Sequence, residues 1–446
     1  MHCAIDFGTS NSAIAIPHPS AGAPAGMRLV PLENGAQGEQ LTMPTAVFYC
    51  TDADDLPPTA LPGPGGDDTL PRCFGRAAVQ AYIEGYEGRL MRSMKSVLGT
   101  ALVDQTTEVG HGFGVRYLDI VTGYLRHLRT LAERAGGQPL SQVVLGRPVY
   151  FVDDEPERDA AAQASLEAAA RAVGFTDIAF QFEPIAAAFD FEQHCTQEEH
   201  VLVADIGGGT SDFSVVRVGP ERAQRLERRD DILANHGIHI AGTDFDRHLS
   251  LARIMPMLGL GAFGPSVLGQ PPRPVPSRVY FDLTTWHLIN TVYQPARVAE
   301  LRNMVDFYGD PLHHRRLMKV VSERLGHALV GRAEAAKIAV AEGGATDIDL
   351  GLIEAGLHNG LDAAQAEQAL GADLERIVAC ARDTVRQAGL KPEQLGALYF
   401  TGGSTGLKLL TDALQAAFPD ARAVRGDRLA SVATGLGLYA KRLFAA

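Results

Sequence analysis

The 446 residues suffice for two domains that each bury a core, and 46% hydrophobic with 21% charged residues is a globular balance that excludes extensive disorder. A formal net charge of -13 opposes both a polyphosphate backbone and an anionic membrane, so neither nucleic acid nor membrane is an expected partner. The start MHCAIDFGTS has no basic segment or apolar signal core, and no apolar run approaches the roughly 20 residues of a membrane span, so a cytoplasmic location is expected. Cys3, Cys50, Cys73, Cys195 and Cys380 are odd in number and form no CxxC, which fits reduced thiols acting as small buried hydrophobes.

In chain order, CAIDFGTSNSAIAI opens with a strand that runs into Asp6, then Gly8, Thr9, Ser10 and Asn11, then a second strand, the pattern of a hairpin with an exposed backbone turn. TDADDLPPTALPGPGGDD (51 to 68) reads as a surface loop. VVLGRPVYF (143 to 151) reads as a strand and 157 to 175 as a helix, an alternation that points to α/β architecture. Glu183 precedes Pro184 and an alanine run that begins a helix, where a carboxylate suits the first turn. VADIGGGTSDFSVVRV then repeats the opening pattern with Asp205, Gly207, Gly208, Gly209, Thr210 and Ser211.

The mixed-charge run 221 to 231 reads as a solvated hairpin or turn edge. His236, His239 and the pair His313-His314 lack a matching zinc set and read as ordinary surface or loop residues. GLGAFG (259 to 264) satisfies G-x-G-x-x-G, but Pro256 stands where its strand belongs and Pro265 where its helix belongs, and no P-loop occurs anywhere. The stretch 264 to 277 is a second Pro-rich loop. Glu334 and Lys337, three apart on a helix, are also what a surface ion pair looks like. After Asp373, the residues Leu374, Ile377, Val378, Ala381 and Val385 share a helical face that Gly389 terminates. A strand (397 to 400) then leads through Gly402, Gly403 and Ser404 into a helix whose free N–H groups suit a nucleotide.

Asp6 and Asp205 lie a whole domain's length apart, so the chain reads as two copies of one unit. Glycines without Cβ atoms let successive amides form an anion-binding concavity, and phosphate is the natural ligand. An aspartate at each strand end suits a hydrated magnesium ion, which uses few carboxylates. Either turn alone is only a tight hairpin; two turns and the Gly402 element together point to a nucleotide site.

These elements resemble the superfamily of sugar kinases, actin and heat-shock ATPases, and most nearly the DnaK-type seventy-kilodalton heat-shock chaperones. The resemblance rests on DFGTSNS (6 to 12), FEPIAAAFDFE (182 to 192), VLVADIGGGTSDFSVV (201 to 216), IAGTDFD (240 to 246), RAEAAKIAV (332 to 340) and FTGGST (400 to 405). It implies an α/β fold of two duplicated actin-like, ribonuclease H-like ATPase lobes around a nucleotide cleft. Lobe I would be 1–185 with a loop insertion at 51–70, and lobe II 186–425 with a peripheral subdomain at about 243–350. Residues 426–446 would be a C-terminal helix returning to lobe I.

The implied cofactors are ATP or ADP and Mg2+, with Asp6 and Asp205 holding the metal through water and, with Glu183, forming the catalytic group. Gly8, Thr9, Ser10, Asn11, Gly207, Gly208, Gly209 and Thr210 would bind phosphates. Gly242, Glu334, Lys337, Gly402, Gly403, Ser404 and Asp427 would line the rest of the nucleotide. The chain ends at Ala446, so the resemblance extends to the short, stand-alone YegD-type members without a peptide-binding domain, whose protein partner or client is unknown. GRAAVQAY (75 to 82) looks like the family's catalytic-lysine segment, with Val79 at that position and Arg76 one turn earlier, so slow ATP hydrolysis is expected. The implied function is a nucleotide-driven conformational switch of chaperone type; a small-molecule kinase or an actin-like filament protein on the same fold are the alternatives.

Overall fold

Each of the two aspartate-bearing hairpins seeds a sheet, and the computed structural model, which describes residues 1–18, 26–35, 38–63, 70–110, 112–152, 155–192, 195–265, 271–426 and 431–444, shows that both sheets have the same order. In the first, strands run Asp177–Phe182, Gln142–Arg147, His2–Phe7, Asn11–Pro17 and Met27–Leu29, with Thr42–Pro44 also paired to Asn11–Pro17. In the second they run Ile232–Ile238, Ser211–Val218, Glu199–Ile206, Ala397–Thr401 and Arg422–Arg425. The strand that carries the aspartate is antiparallel to its hairpin partner and parallel to its other neighbour in both sheets. A parallel neighbour needs a crossover, supplied by the helix Tyr117–Gly136 before Gln142–Arg147 and by Ala363–Gln387 before Ala397–Thr401. Register sets Asp6 opposite Ala13 and Asp205 opposite Asp212. The sequence echo is thus a structural duplication, and the fold is α/β with two actin-like, ribonuclease H-like lobes.

Each lobe has its own core, one around Ile5, Phe7, Tyr124 and Leu145, the other around Leu202, Phe213, Phe245 and Phe400. A third apolar cluster joins them, built from Ala4, Val144, Val201 and Val216 on the facing sheets and from two helices, Glu183–Glu192 and Ser431–Phe444. Those helices cross closely: a side chain at Gly435 would collide with the Ala186 carbonyl. The run Ala186-Ala187-Ala188, fully buried, is therefore small because backbone approaches backbone there. Ser431–Phe444 also packs on the strands His2–Phe7, Asn11–Pro17 and Gln142–Arg147 of the first sheet.

Three local readings change. The strand expected over 143 to 151 stops at Arg147, where Pro148 lacks an N–H and the guanidinium turns to Asp159 at 2.8 and 3.0 Å. The run 221 to 231 is not simply solvated: Arg228 is buried, paired with Glu192 at 2.8 and 3.0 Å and with Asp231, while Arg222 joins Asp231 to Glu198. The partner Glu192 comes from a distant helix, which a local charge pattern cannot show. His314 is buried rather than at the surface, with Nε2 2.9 Å from the Leu301 carbonyl oxygen. Among the described residues no helix is long and apolar enough to cross a membrane.

Candidate functional site

The two glycine turns meet across the cleft between the lobes, for a Cβ placed on Gly208 would come within 3.0 Å of Ser10 Oγ. Their carbonyls are tied back into the protein. In the first turn, Thr45 Oγ1 donates to the Gly8 oxygen at 2.7 Å and the Thr45 N–H donates to the Ser10 oxygen at 2.9 Å. In the second, the Gly207 oxygen accepts from Ser404 Oγ at 2.6 Å and from the Gly242 N–H at 3.2 Å. The Gly208 oxygen accepts from both the N–H and the hydroxyl of Thr243 at 2.8 Å. Carbonyl dipoles that would repel an anion are thus occupied from behind.

The glycines differ in why they are glycine. Any Cβ at Gly8 would collide with the Asn11 carbonyl, and Gly402, at φ +86°, would collide with the Ile206 carbonyl, so the fold itself requires both. At Gly209 an added Cβ meets nothing within 4 Å, and at Gly207 it meets only the Thr210 oxygen at 3.9 Å. Neither residue has a positive φ. Internal packing gives no reason for glycine at 207 and 209, whereas a ligand seated against the backbone does.

Four carboxylates gather beside these turns. Asp6 and Asp205 stand near the ends of equivalent strands, Asp212 faces Asp205 across its hairpin, and Glu183 is the first residue of its helix. Lys95, in the single turn Met94–Val97 after the strand Gly88–Arg92, places Nζ 2.5 Å from Glu183 Oε1. Loss of hydration raises Asp6 to about 8, with Glu183 adding to the effect and Lys95 opposing it. Asp205 rises to about 7, first from the same cause, then through Asp212 and Glu183, again opposed by Lys95. Asp212 is raised by loss of hydration, against a hydrogen bond from Thr210. One ammonium against four carboxylates leaves an excess of negative charge and hard oxygen donors, a set that fits magnesium. Among the described residues no three such groups converge to chelate an ion directly, so an ion here would keep much of its water.

On the far side of the second turn, Lys337 Nζ lies 2.8 Å from Asp246 and 3.3 Å from the Gly242 oxygen. Burial raises Asp246 to about 6 in spite of that lysine. Glu334, exposed one turn earlier on the same helix, is not Lys337's partner, so the surface-pair reading fails. The structure therefore assembles Asp6, Ser10, Glu183, Asp205, Gly207, Gly208, Gly242, Lys337 and Ser404 into one region, with Gly8, Thr9, Asn11, Gly209, Thr210, Gly402 and Gly403 in the turns that carry them. Asp427 lies outside the described residues.

The expected lysine gap at Val79 is corrected. Val79 sits on the helix Gly75–Glu84 and packs against the apolar cluster of Ala46, Phe48 and Ala78, while Arg76 pairs with Glu33 and donates to the Thr42 oxygen at 2.7 Å. The lysine at the carboxylates is Lys95, which sequence reading missed. A signal existed: Lys95 is the sole lysine in residues 1–318 of a chain that otherwise uses arginine there. Asp212 was also missed, although it occupies the hairpin position opposite Asp205 in the echo itself.

The family model described as Hsp70 protein matches residues 93–251, a span that holds Lys95, Glu183, Asp205, the second glycine turn and Asp246. Among curated proteins, the chain is 35% identical over 125 residues to "Chaperone protein dnaK" of Cyanophora paradoxa, covering 27% of this chain and 18% of that protein. It is 36% identical over 123 residues to "Chaperone protein DnaK" of Prochlorococcus marinus, covering 27% and 17%. With "Chaperone protein DnaK" of Thermosipho melanesiensis it shares 28% identity over 247 residues, 55% of this chain and 34% of the relative. The matches thus span about a third or less of each relative's length. The matched segment, the duplicated lobes and these relatives agree in showing that the chain is similar to the Hsp70 protein family.

Proposed function

We propose that the cleft binds ATP or ADP with magnesium and that the protein is a nucleotide-dependent conformational switch with a chaperone role toward a protein client. The observation that carries the reading is the pair Gly207 and Gly209, which packing leaves free to bear side chains. The turns at 8 to 11 and 207 to 210 would take the phosphates from opposite lobes, and Gly242, Lys337, Gly402 to Ser404 and Glu334 the nucleoside. Asp6 and Asp205 would hold magnesium through water, where the ion would neutralise phosphate charge.

The protein's own groups account for hydrolysis. Glu183, fixed by Lys95, accepts a hydrogen bond from a water and orients it. The Lys95 ammonium adds positive charge where phosphate charge develops, a contribution that Val79 was expected to lack. The reason to expect slow hydrolysis therefore disappears.

Residues 1–185 and 186–425 would be the moving bodies, with 426–446 held on the first. Closure is supported by a contact between them away from the glycine turns: Arg92 lies 4.9 Å over the ring of Trp286, and His327 packs on Tyr82 and Trp286. The test is phosphate release from ATP, first without an acceptor and then with a pool of sugars. Release that needs no acceptor supports the switch; release only with a sugar would make the protein a kinase.

A further inference from the structure

We propose that Cys50 and Cys73 form a peroxide-responsive dithiol, apart from the nucleotide cleft, that closes to an intrachain disulfide. The strands Ala46–Cys50 and Arg72–Phe74 are antiparallel with Phe48 opposite Cys73, so Cys50, two residues beyond Phe48, shares its face with Cys73. The Cys50 N–H donates to the Pro71 oxygen at 2.9 Å, which holds the pairing to the strand end. Both side chains are sealed from solvent within one apolar cluster with Ala46, Phe48 and Ala78, and each thiol shifts the other's titration. A diagonal pair starts with its Cβ atoms farther apart than the ~4 Å a disulfide needs. Cys50 is the last residue of its strand, opposite Gly88 at the end of the ladder with Gly88–Arg92, and the chain from Thr51 is irregular, so that approach is taken up at a strand end rather than in mid-ladder.

The cover over the pair is thin. Thr59, in that irregular segment, places Oγ1 3.6 Å from Cys73 Sγ, and Ala60 packs on the same cluster. Local opening of a segment without regular structure admits a molecule as small as hydrogen peroxide. Hydrogen bonds from Cys50 and Thr59 favour the Cys73 thiolate and draw its pKa down, while Cys50 as donor is pushed up. The other thiols are solitary and raised by burial, Cys195 to about 11 and Cys380 to about 12, so they serve as unreactive references.

The chemistry balances with peroxide as oxidant. The Cys73 thiolate attacks one peroxide oxygen, the O–O bond breaks, and the leaving hydroxide takes the Cys50 proton to give water and a sulfenic acid on Cys73. The Cys50 thiolate then attacks that sulfur, the S–O bond breaks, and hydroxide leaves to be protonated by solvent. Two thiols lose two electrons and one peroxide becomes two waters.

The test treats the full chain with hydrogen peroxide, quenches, denatures, alkylates and maps peptides by mass spectrometry. The wild type should lose two of its five alkylatable thiols, yield a reducible Cys50–Cys73 linked peptide, and leave Cys3, Cys195 and Cys380 alkylated. Cys50→Ser should accumulate a dimedone-reactive sulfenic acid at Cys73, and Cys73→Ser should leave Cys50 reduced. Five alkylated thiols in treated wild type, or a linkage to any other cysteine, would overturn the proposal without reference to either variant.

Discussion

Replacing Lys95 with alanine removes the one ammonium among Asp6, Glu183, Asp205 and Asp212. Its side chain is 9% exposed and its partner Glu183 16%, so the pair is nearly enclosed. Deleting one member of a buried pair typically costs about 3–5 kcal/mol because the other charge is stranded. Here protonation offers relief, since Asp6 and Asp205 already stand at about 8 and 7 with Lys95 holding both down. Without the lysine both rise further. A carboxylate whose folded pKa exceeds its unfolded value keeps a proton that the unfolded chain has shed, so native stability falls as pH climbs toward the folded pKa. The variant keeps protons over a pH range in which the wild type has lost them, and each extra proton costs about 1.4 kcal/mol per pH unit. The penalty of Lys95→Ala should therefore be modest at pH 6 and larger by about 2 kcal/mol at pH 8.5. Urea unfolding without nucleotide or divalent ions measures it, and single-turnover hydrolysis should fall ~10²-fold or more. A penalty that stays constant or shrinks with pH, or hydrolysis at the wild-type rate, would refute the placement of Lys95 at the working carboxylates.

Gly209→Ala should unfold like the wild type, because its Cβ meets nothing within 4 Å, yet bind magnesium ATP at least tenfold more weakly in a titration. Normal affinity would make the second turn merely structural. Trp286 is the single tryptophan, stacked under Arg92 of the other lobe, so its fluorescence should change on adding magnesium ATP, and Arg92→Ala should reduce the change; an unresponsive signal would argue against lobe movement at that contact. Arg228→Ala strands the buried Glu192, leaving Asp231 to Arg222 alone, and should cost about 3–5 kcal/mol in urea unfolding, whereas exposed Arg225→Ala should stay within about 0.5 kcal/mol. Equal effects would mean the buried network contributes nothing specific.

The parts of the fold legible in the sequence are those whose cause is local. An apolar strand ending in Asp-x-Gly announces a hairpin wherever it sits, and its recurrence announced the duplication that the two sheet orders show. The alanine run after Glu183 was readable as a helix, but its small size had its reason in Gly435, on a helix at the other end of the chain. Lys95 pairs with a carboxylate 88 residues away, and Ser404 with a carbonyl 197 residues away, so neither contact leaves a mark in its own neighbourhood. Val79 was misplaced for the converse reason: resemblance fixed a segment, and only packing showed that this helix faces the apolar cluster with Phe48. The run 221 to 231 misled similarly, because a charge pattern carries no information about a partner such as Glu192.

The central claim is a nucleotide site built from two mirrored turns, and calorimetric titration of the full chain with ATP in the presence of magnesium tests it most directly. Binding should be saturable and one-to-one, and should weaken sharply when magnesium is chelated. No saturable binding at millimolar ATP by correctly folded protein would contradict it.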